Sequence, residues 1–407
     1  MELIIIFWIF LSKSFFFNYD ASVKIYTTFI GFGVALLIPI SFIYKNLKLA
    51  NYKLKIFKLN TARKLSYLSF SVFFIFSLIN NININSQNST FERPLSFLAI
   101  FMISTYGLLS NSVLAKKIFI KRLSQVSYVY LIVNFFLLLF FHELSWDEGR
   151  FRGYLSDSAI VSSISIIVSC VLTPKLFQTD NIYSIRINGF FILLNLLFAY
   201  LSGSRSCVFI IFILTVISLF SKGNKLDLKF RTNNKTFFKK LSIFTTPFLA
   251  TLGYFLALGI FSFGPRVTTI NAFFDRFQQW GYAFIDPKWF KGIGLGAKFI
   301  SDEVGETIYT HFLDPHNLYL STLLNLGILS GLVMLIFAFF ALIFTIKKLR
   351  VMDEDYCYYL LVFSAILSSP IGGSMFSINN VYDRIIWIAL SFIFFGDLNK
   401  KNITSRI

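Results

Sequence analysis

Long apolar runs broken by short polar connections set the pattern of this chain. Twelve of them stand out, near residues 3–18, 27–44, 65–80, 95–114, 126–142, 158–173, 188–202, 206–221, 241–263, 317–346, 356–371 and 383–397. A hydrocarbon layer roughly 30 Å thick needs about 20 apolar residues in a helix, and these runs approach or reach that length. Strands of a membrane barrel would alternate in polarity over about ten residues. These runs are apolar on every face, so the pattern predicts an all-α polytopic membrane protein of about twelve transmembrane helices. Residues 1–407 form a single membrane domain, with one large loop at 264–316.

Composition sharpens the class. Of 407 residues, 56% are hydrophobic and 14% charged, and Phe alone supplies 53. Soluble domains run at roughly 45–50% and 25%. A water-soluble fold of this size has no means of hiding so much apolar surface. Three cysteines and little low-complexity sequence also exclude a disulfide scaffold and a disordered chain. Cys170, Cys207 and Cys357 lie in or beside apolar runs and read as packing residues. The opening Met1-Glu2-Leu3 lacks a basic leader and a small-residue cleavage site, so the first run reads as a span rather than a signal peptide.

The net charge of +18, from 38 basic and 20 acidic residues, raises nucleic acid as a partner until its distribution is read. Basic residues crowd 45–64, 115–125, the pair Lys175 and Arg186, 222–240, 347–350 and the tail from Lys400. These groups hold 26 of the 38 and fall on every second connection. That is the positive-inside pattern, and it predicts both termini on the cytoplasmic side. Topology therefore accounts for the charge, and no nucleic-acid role is needed. The alternate connections are Asn- and Ser-rich (81–94), mixed in charge (142–157) or long and near neutral (264–316), and they carry all three histidines, His142, His311 and His316.

Two outer features exceed what topology requires. The turn Leu201-Ser202-Gly203-Ser204-Arg205-Ser206 puts an arginine where the positive-inside rule does not favour one. It reads either as a snorkelling anchor beside a close helix contact or as a guanidinium held to grip a phosphate in bidentate fashion. The second feature is the loop 264–316, too long for an inert connector. It carries Arg266, then Asp275-Arg276 with Trp280, then Gly292, Gly294 and Gly296, then His311 and finally Asp314-Pro315-His316-Asn317. The glycines follow no soluble βα unit and lack the Lys-Ser/Thr of a phosphate loop, so a turn dipping toward the membrane fits them better. His311, Asp314 and His316 match no closed set of zinc ligands, and no metal is expected. Asp314-Pro315 also suits the start of a helix. Against that bland reading, histidine is the side chain matched to proton transfer near neutral pH, and arginines stabilise a departing phosphate.

In this order the Ser-Gly-Ser-Arg turn, the Arg276–Trp280 segment, the Gly-rich turn and the entry His316-Asn317-Leu318-Tyr319-Leu320, followed by Gly327 and Gly331, resemble the superfamily of O-antigen polymerases (Wzy-type) and O-antigen ligases (WaaL-type). The match covers roughly residues 185–345. The resemblance implies a GT-C-like helical fold in the bacterial inner membrane with a periplasmic active site, and it implies no metal, nucleotide sugar or other cofactor. Its substrates, donor and acceptor alike, would be undecaprenyl-diphosphate-linked glycans, with a chain-length-regulating membrane protein as a further partner. By match to the motifs, Arg205 and Arg276 would contact the lipid diphosphate and His316 would activate the acceptor hydroxyl. Arg266, Asn317, Tyr319, Trp280, Gly294, Gly296 and His311 would complete the substrate-binding face. The ligase pattern is His-Asn, nine residues, then Gly-x-x-Gly; here Gly327 is in place but Ser330 stands where the second glycine belongs. That departure favours a polymerase over a ligase acting on lipid A-core. A flippase or transporter of lipid-linked glycans is the rival from another class, and it ordinarily places ionisable groups inside its spans.

Overall fold

The computed structural model describes residues 6, 10, 11, 14, 33, 113–147, 149–179, 181–221, 262–263, 266–267, 317–369 and 383–395. The runs expected near 3–18, 27–44, 65–80, 95–114 and 241–263, apart from isolated residues, and most of the loop 264–316 lie outside the described residues. What is described is mostly helical. The helices are α1 (Val113–Phe140), the single turn α2 (His142–Ser145), α3 (Ser158–Gln178), α4 (Ile182–Leu201), α5 (Arg205–Phe220), α6 (Leu318–Lys348), α7 (Tyr356–Ser368) and α8 (Asp383–Leu390), the last continuing as a π-helical turn over Ser391–Phe395. Two short hairpins accompany them: β1 (Trp146–Asp147) with β2 (Arg150–Phe151), and β3 (Ser262–Phe263) with β4 (Arg266–Val267), both antiparallel.

Among the described residues, four segments are long and apolar enough to cross a membrane: Lys116–Phe140, Ser158–Gln178, Ile182–Leu201 and Gly327–Lys348. Helices α5 and α7 are apolar but shorter. The four differ in how they are covered. Helix α3 is enclosed along most of its length, packing on α1, α4, α5 and α7. Helices α1, α4 and α6 instead expose rows of large apolar side chains, among them Ile132, Phe136 and Leu139, then Leu193 and Phe190, then Ile336 and Phe340. Such rows are unfavourable in water and compatible with a lipid surround.

Helix α3 holds the centre because its sequence allows close approach. Ser162, Ser163, Ser165, Ser169 and Cys170 line it, all buried. Small residues let helix backbones come together, and their hydroxyls then find partners across the interface. The amide nitrogen of Asn195 on α4 donates to the Ser165 carbonyl and to Ser169 Oγ, each at 2.8 Å. Cys170 Sγ lies 3.4 Å from Ser364 Oγ on α7.

Several expectations shift. Lys175 and Arg186, expected in a connection, lie within α3 and α4, and α4 starts at Ile182 rather than near 188. The basic stretch 115–125 was expected as a connection, yet it is the first part of α1, which starts at Val113. Lys116 is buried there because Asp355, which just precedes α7, lies 3.0 Å from its ammonium, so a charge that reads locally as a helix end is paired within the fold. The run 317–346 is not one straight helix. Gly327 takes φ 82 and ψ 170, a conformation open in practice to glycine alone, and splits α6 into an entry segment and the span proper. Gly331 then lies so close to the entry segment that a Cβ there would sit 2.9 Å from the Leu323 Cα. Ser262 and Phe263, expected at the end of a helix, belong to β3, which pairs antiparallel with Arg266 and Val267 of β4.

Candidate functional site at one end of the helices

The ends of the helices sort by chemistry. At one end, Lys116 pairs with Asp355, Lys117 pairs with Glu354 at 2.9 Å, Lys175 on α3 meets Ser124 on α1, and Ser221 after α5 donates to the Leu349 carbonyl at 2.7 Å. Lys347 and Lys348 close α6 at this same end, with Arg350 just beyond it. The turn between α4 and α5, the hairpin β1–β2 and the entry to α6 belong to the opposite ends of those helices.

Arg205 is the first residue of α5, and its position follows from the turn before it. Helix α4 ends on Ser202, Gly203 takes φ 74, and Ser204 caps α5 by accepting from the Cys207 N–H at 3.4 Å. A glycine past the end of one helix and a serine cap on the next are the residues such a turn requires. The turn is also pinned to α3: Ser202 Oγ lies 3.3 Å from Ser162 Oγ, and the Cys207 thiol donates to the Ser162 carbonyl at 3.2 Å. The half-buried Arg205 side chain thus projects from a turn fixed on both flanks.

Asn317 and Tyr319 are brought together at the entry to α6. Asn317 Oδ1 accepts from the backbone N–H of Tyr319 at 3.0 Å and of Leu320 at 3.3 Å, which makes it the helix cap. The Tyr319 hydroxyl donates to the Ile366 carbonyl of α7 at 3.3 Å. Both side chains therefore set the position of the segment next to His316. The expected boundary at Asp314-Pro315 moves to Asn317, whose side chain reaches the orphaned N–H groups of the first turn.

Of the remaining candidates, Arg266 lies in β4 opposite Phe263. Arg276, Trp280, Gly294, Gly296, His311 and His316 lie outside the described residues. Among the described residues no group of three or more His, Cys, Asp or Glu side chains is placed to hold a metal ion. Sequence reasoning passed over two further groups. One is the buried Asp383-Arg384 pair that opens α8, signalled by two adjacent charges at the head of an apolar run. The other is the hairpin β1–β2, whose strands are too short for any periodicity to reveal. Its one trace in the sequence is Gly149, which takes φ 73 between the two strands. Compared with known proteins, the chain matches no protein-family model, and no curated protein shows significant similarity to it.

Proposed function

We propose that the chain is an O-antigen polymerase of about twelve spans and GT-C-like fold in the bacterial inner membrane. Both termini face the cytoplasm, and the reaction takes place on the periplasmic side. It joins undecaprenyl-diphosphate-linked repeat units to one another. The observation that carries the reading is Arg205, held on the pinned turn between α4 and α5 at the end of the bundle away from the clustered lysines. In a turn that topology would leave uncharged, a guanidinium carried on a fixed backbone offers the planar donor fork that matches a diphosphate. The order of motifs along the chain supports the same reading.

In this scheme His316 takes the proton from an acceptor sugar hydroxyl, whose oxygen forms the new bond to the anomeric carbon of the donor. The bond from that carbon to the diphosphate oxygen breaks, and Arg205 with Arg276 stabilises the charge that departs on undecaprenyl diphosphate. Attack opposite the leaving group inverts the anomeric centre. Asn317 and Tyr319 serve this step by holding the backbone beside His316.

The test is complementation of a host lacking this gene, read on a lipopolysaccharide gel. Without the gene, lipid A-core bearing one repeat is expected. Bare lipid A-core with polymer held on undecaprenyl diphosphate would identify a ligase instead, and an unchanged ladder would sink both. Arg205→Ala, Arg276→Ala and His316→Ala should each lower extension by about 10²–10³-fold with membrane insertion unchanged. Arg205→Lys should fail as well, because an ammonium lacks the fork.

A further inference from the structure

Between α1 and α3, residues 141–157 build a folded element that the transfer chemistry above does not use. Trp146 pairs across the hairpin with Phe151, and Asp147 with Arg150. The Arg152 and Gly153 N–H groups both donate to the Ser145 carbonyl, at 2.8 and 3.0 Å, so the hairpin is tied back on its own stem. Phe151 is fully buried and stacks on Phe198 of α4 at 5.0 Å between ring centres. Trp146 stands edge-on to Phe151 at 6.1 Å, and the exposed His142 ring stacks on Trp146 at 5.1 Å with 22° between planes. Four rings thus lead from the exposed edge of the hairpin into α4, the helix whose end carries the turn to Arg205.

Polar groups border this stack. Asp147 is half exposed, and its carboxylate lies 3.9 Å from an Arg152 guanidinium nitrogen, an ion-pair distance longer than a hydrogen bond. Its oxygens therefore keep accepting capacity for a ligand. Residues 142–157 carry Glu143, Asp147, Glu148 and Asp157 against Arg150 and Arg152. That acidic excess repels phosphates and anionic headgroups. A half-exposed aromatic stack beside a carboxylate and a guanidinium matches a pyranose, whose C–H face is apolar and whose hydroxyls both donate and accept. An interfacial tryptophan anchor is the rival. Such an anchor presents its ring to lipid, whereas Trp146 is folded inward between His142 and Phe151.

We propose that the hairpin 142–152 is a saccharide subsite for a neutral or amino-sugar residue, which lies on the exposed His142 ring backed by Trp146, with its hydroxyls on Asp147 and Arg152. It deepens the polymerase reading, on which it rests only for the source of the glycan.

The test places the full-length protein in nanodiscs of uncharged lipid and measures its retention on immobilised neutral and amino-sugar oligosaccharides. The wild type should be retained on a subset of them. His142→Ala and Asp147→Asn, both at exposed positions, should each weaken retention by about tenfold. Trp146→Ala should abolish it, with Trp146→Phe recovering part; if Trp146→Ala does not fold, the two exposed variants decide. No retention of the wild type, or retention unchanged by His142→Ala and Asp147→Asn, overturns the subsite. Variants that keep glycan retention and lose only detergent-resistant lipid overturn it in favour of a lipid anchor. Arg205→Ala should still bind glycan while losing extension in cells. Extension that survives Arg205→Ala would remove the role given to Arg205, and an unchanged ladder in a host lacking the gene would remove the polymerase reading; either result leaves the subsite standing.

Discussion

Single glycines decide much of the local geometry, and they do so in two ways. Gly153 has φ +61, and a Cβ built on it falls on Asn134 Oδ1, the atom that accepts the Tyr154 N–H at 3.2 Å. Gly153→Ala combines left-handed strain with loss of that buried bond, so a destabilisation of about 2–4 kcal/mol is expected, seen as a lower thermal midpoint in detergent. Gly327 acts through direction. With φ 82 and ψ 170 it sets the angle between the entry segment bearing Asn317 and the span behind it. Gly327→Ala should cut glycan extension at least tenfold by misplacing the neighbour of His316. Leu329→Ala, at a position 68% exposed, should leave extension near wild type. Equal losses in the two variants would mean that the break does not position the site. Neither glycine's role was legible beforehand, since a conformation is a property of the folded backbone and a glycine in an apolar run looks like any small residue. Arg205 could be singled out from the sequence because a basic residue on an alternate connection departs from the charge pattern.

Elements were read best where packing agrees with hydropathy and worst where charge is paired at long range. The turn between α4 and α5 was anticipated to within a residue or two, because glycine and serine caps write both helix ends into the sequence. The start of α1 was missed, because Lys116 and Lys117 look like a boundary until Asp355 and Glu354, more than two hundred residues away, are placed beside them. The two pairs should differ sharply in worth. Lys116 and Asp355 are buried, so Lys116→Ala leaves a carboxylate in a dry site and should cost about 3–5 kcal/mol. Replacing both partners, Lys116→Met with Asp355→Leu, should recover most of that loss. Lys117→Ala breaks a pair whose side chains are more than half exposed and should change stability by less than about 1 kcal/mol. Thermal unfolding of the three variants and the wild type in one detergent separates these outcomes.

At the scale of the whole molecule, the alternating charge along the chain and the sorting of the helix ends give independent arguments for one topology. The sequence argument uses only the position of lysines and arginines. Among the described residues, the structural one uses contacts: Lys175 with Ser124, Ser221 with Leu349, and Lys116 with Asp355 bring the described basic helix ends together at one end, while Ser162 with Ser202 and Phe151 with Phe198 bring the turn between α4 and α5 and the hairpin β1–β2 together at the other. The two agree on which connections share a side. Which side is cytoplasmic follows from the positive-inside rule alone, and labelling tests it. Glu143 and Val351 are both exposed and belong to opposite ends, and of the native cysteines Cys170 and Cys207 are buried and Cys357 half-buried. With a membrane-impermeant maleimide, Glu143→Cys should label once the outer membrane is made permeable, and Val351→Cys only after the inner membrane is opened. The reverse pattern would invert the protein and carry Arg205 and the hairpin into the cytoplasm, where a periplasmic polymerisation has no access to them. Labelling of both from one side would break the agreement between charge and contacts on which the topology depends.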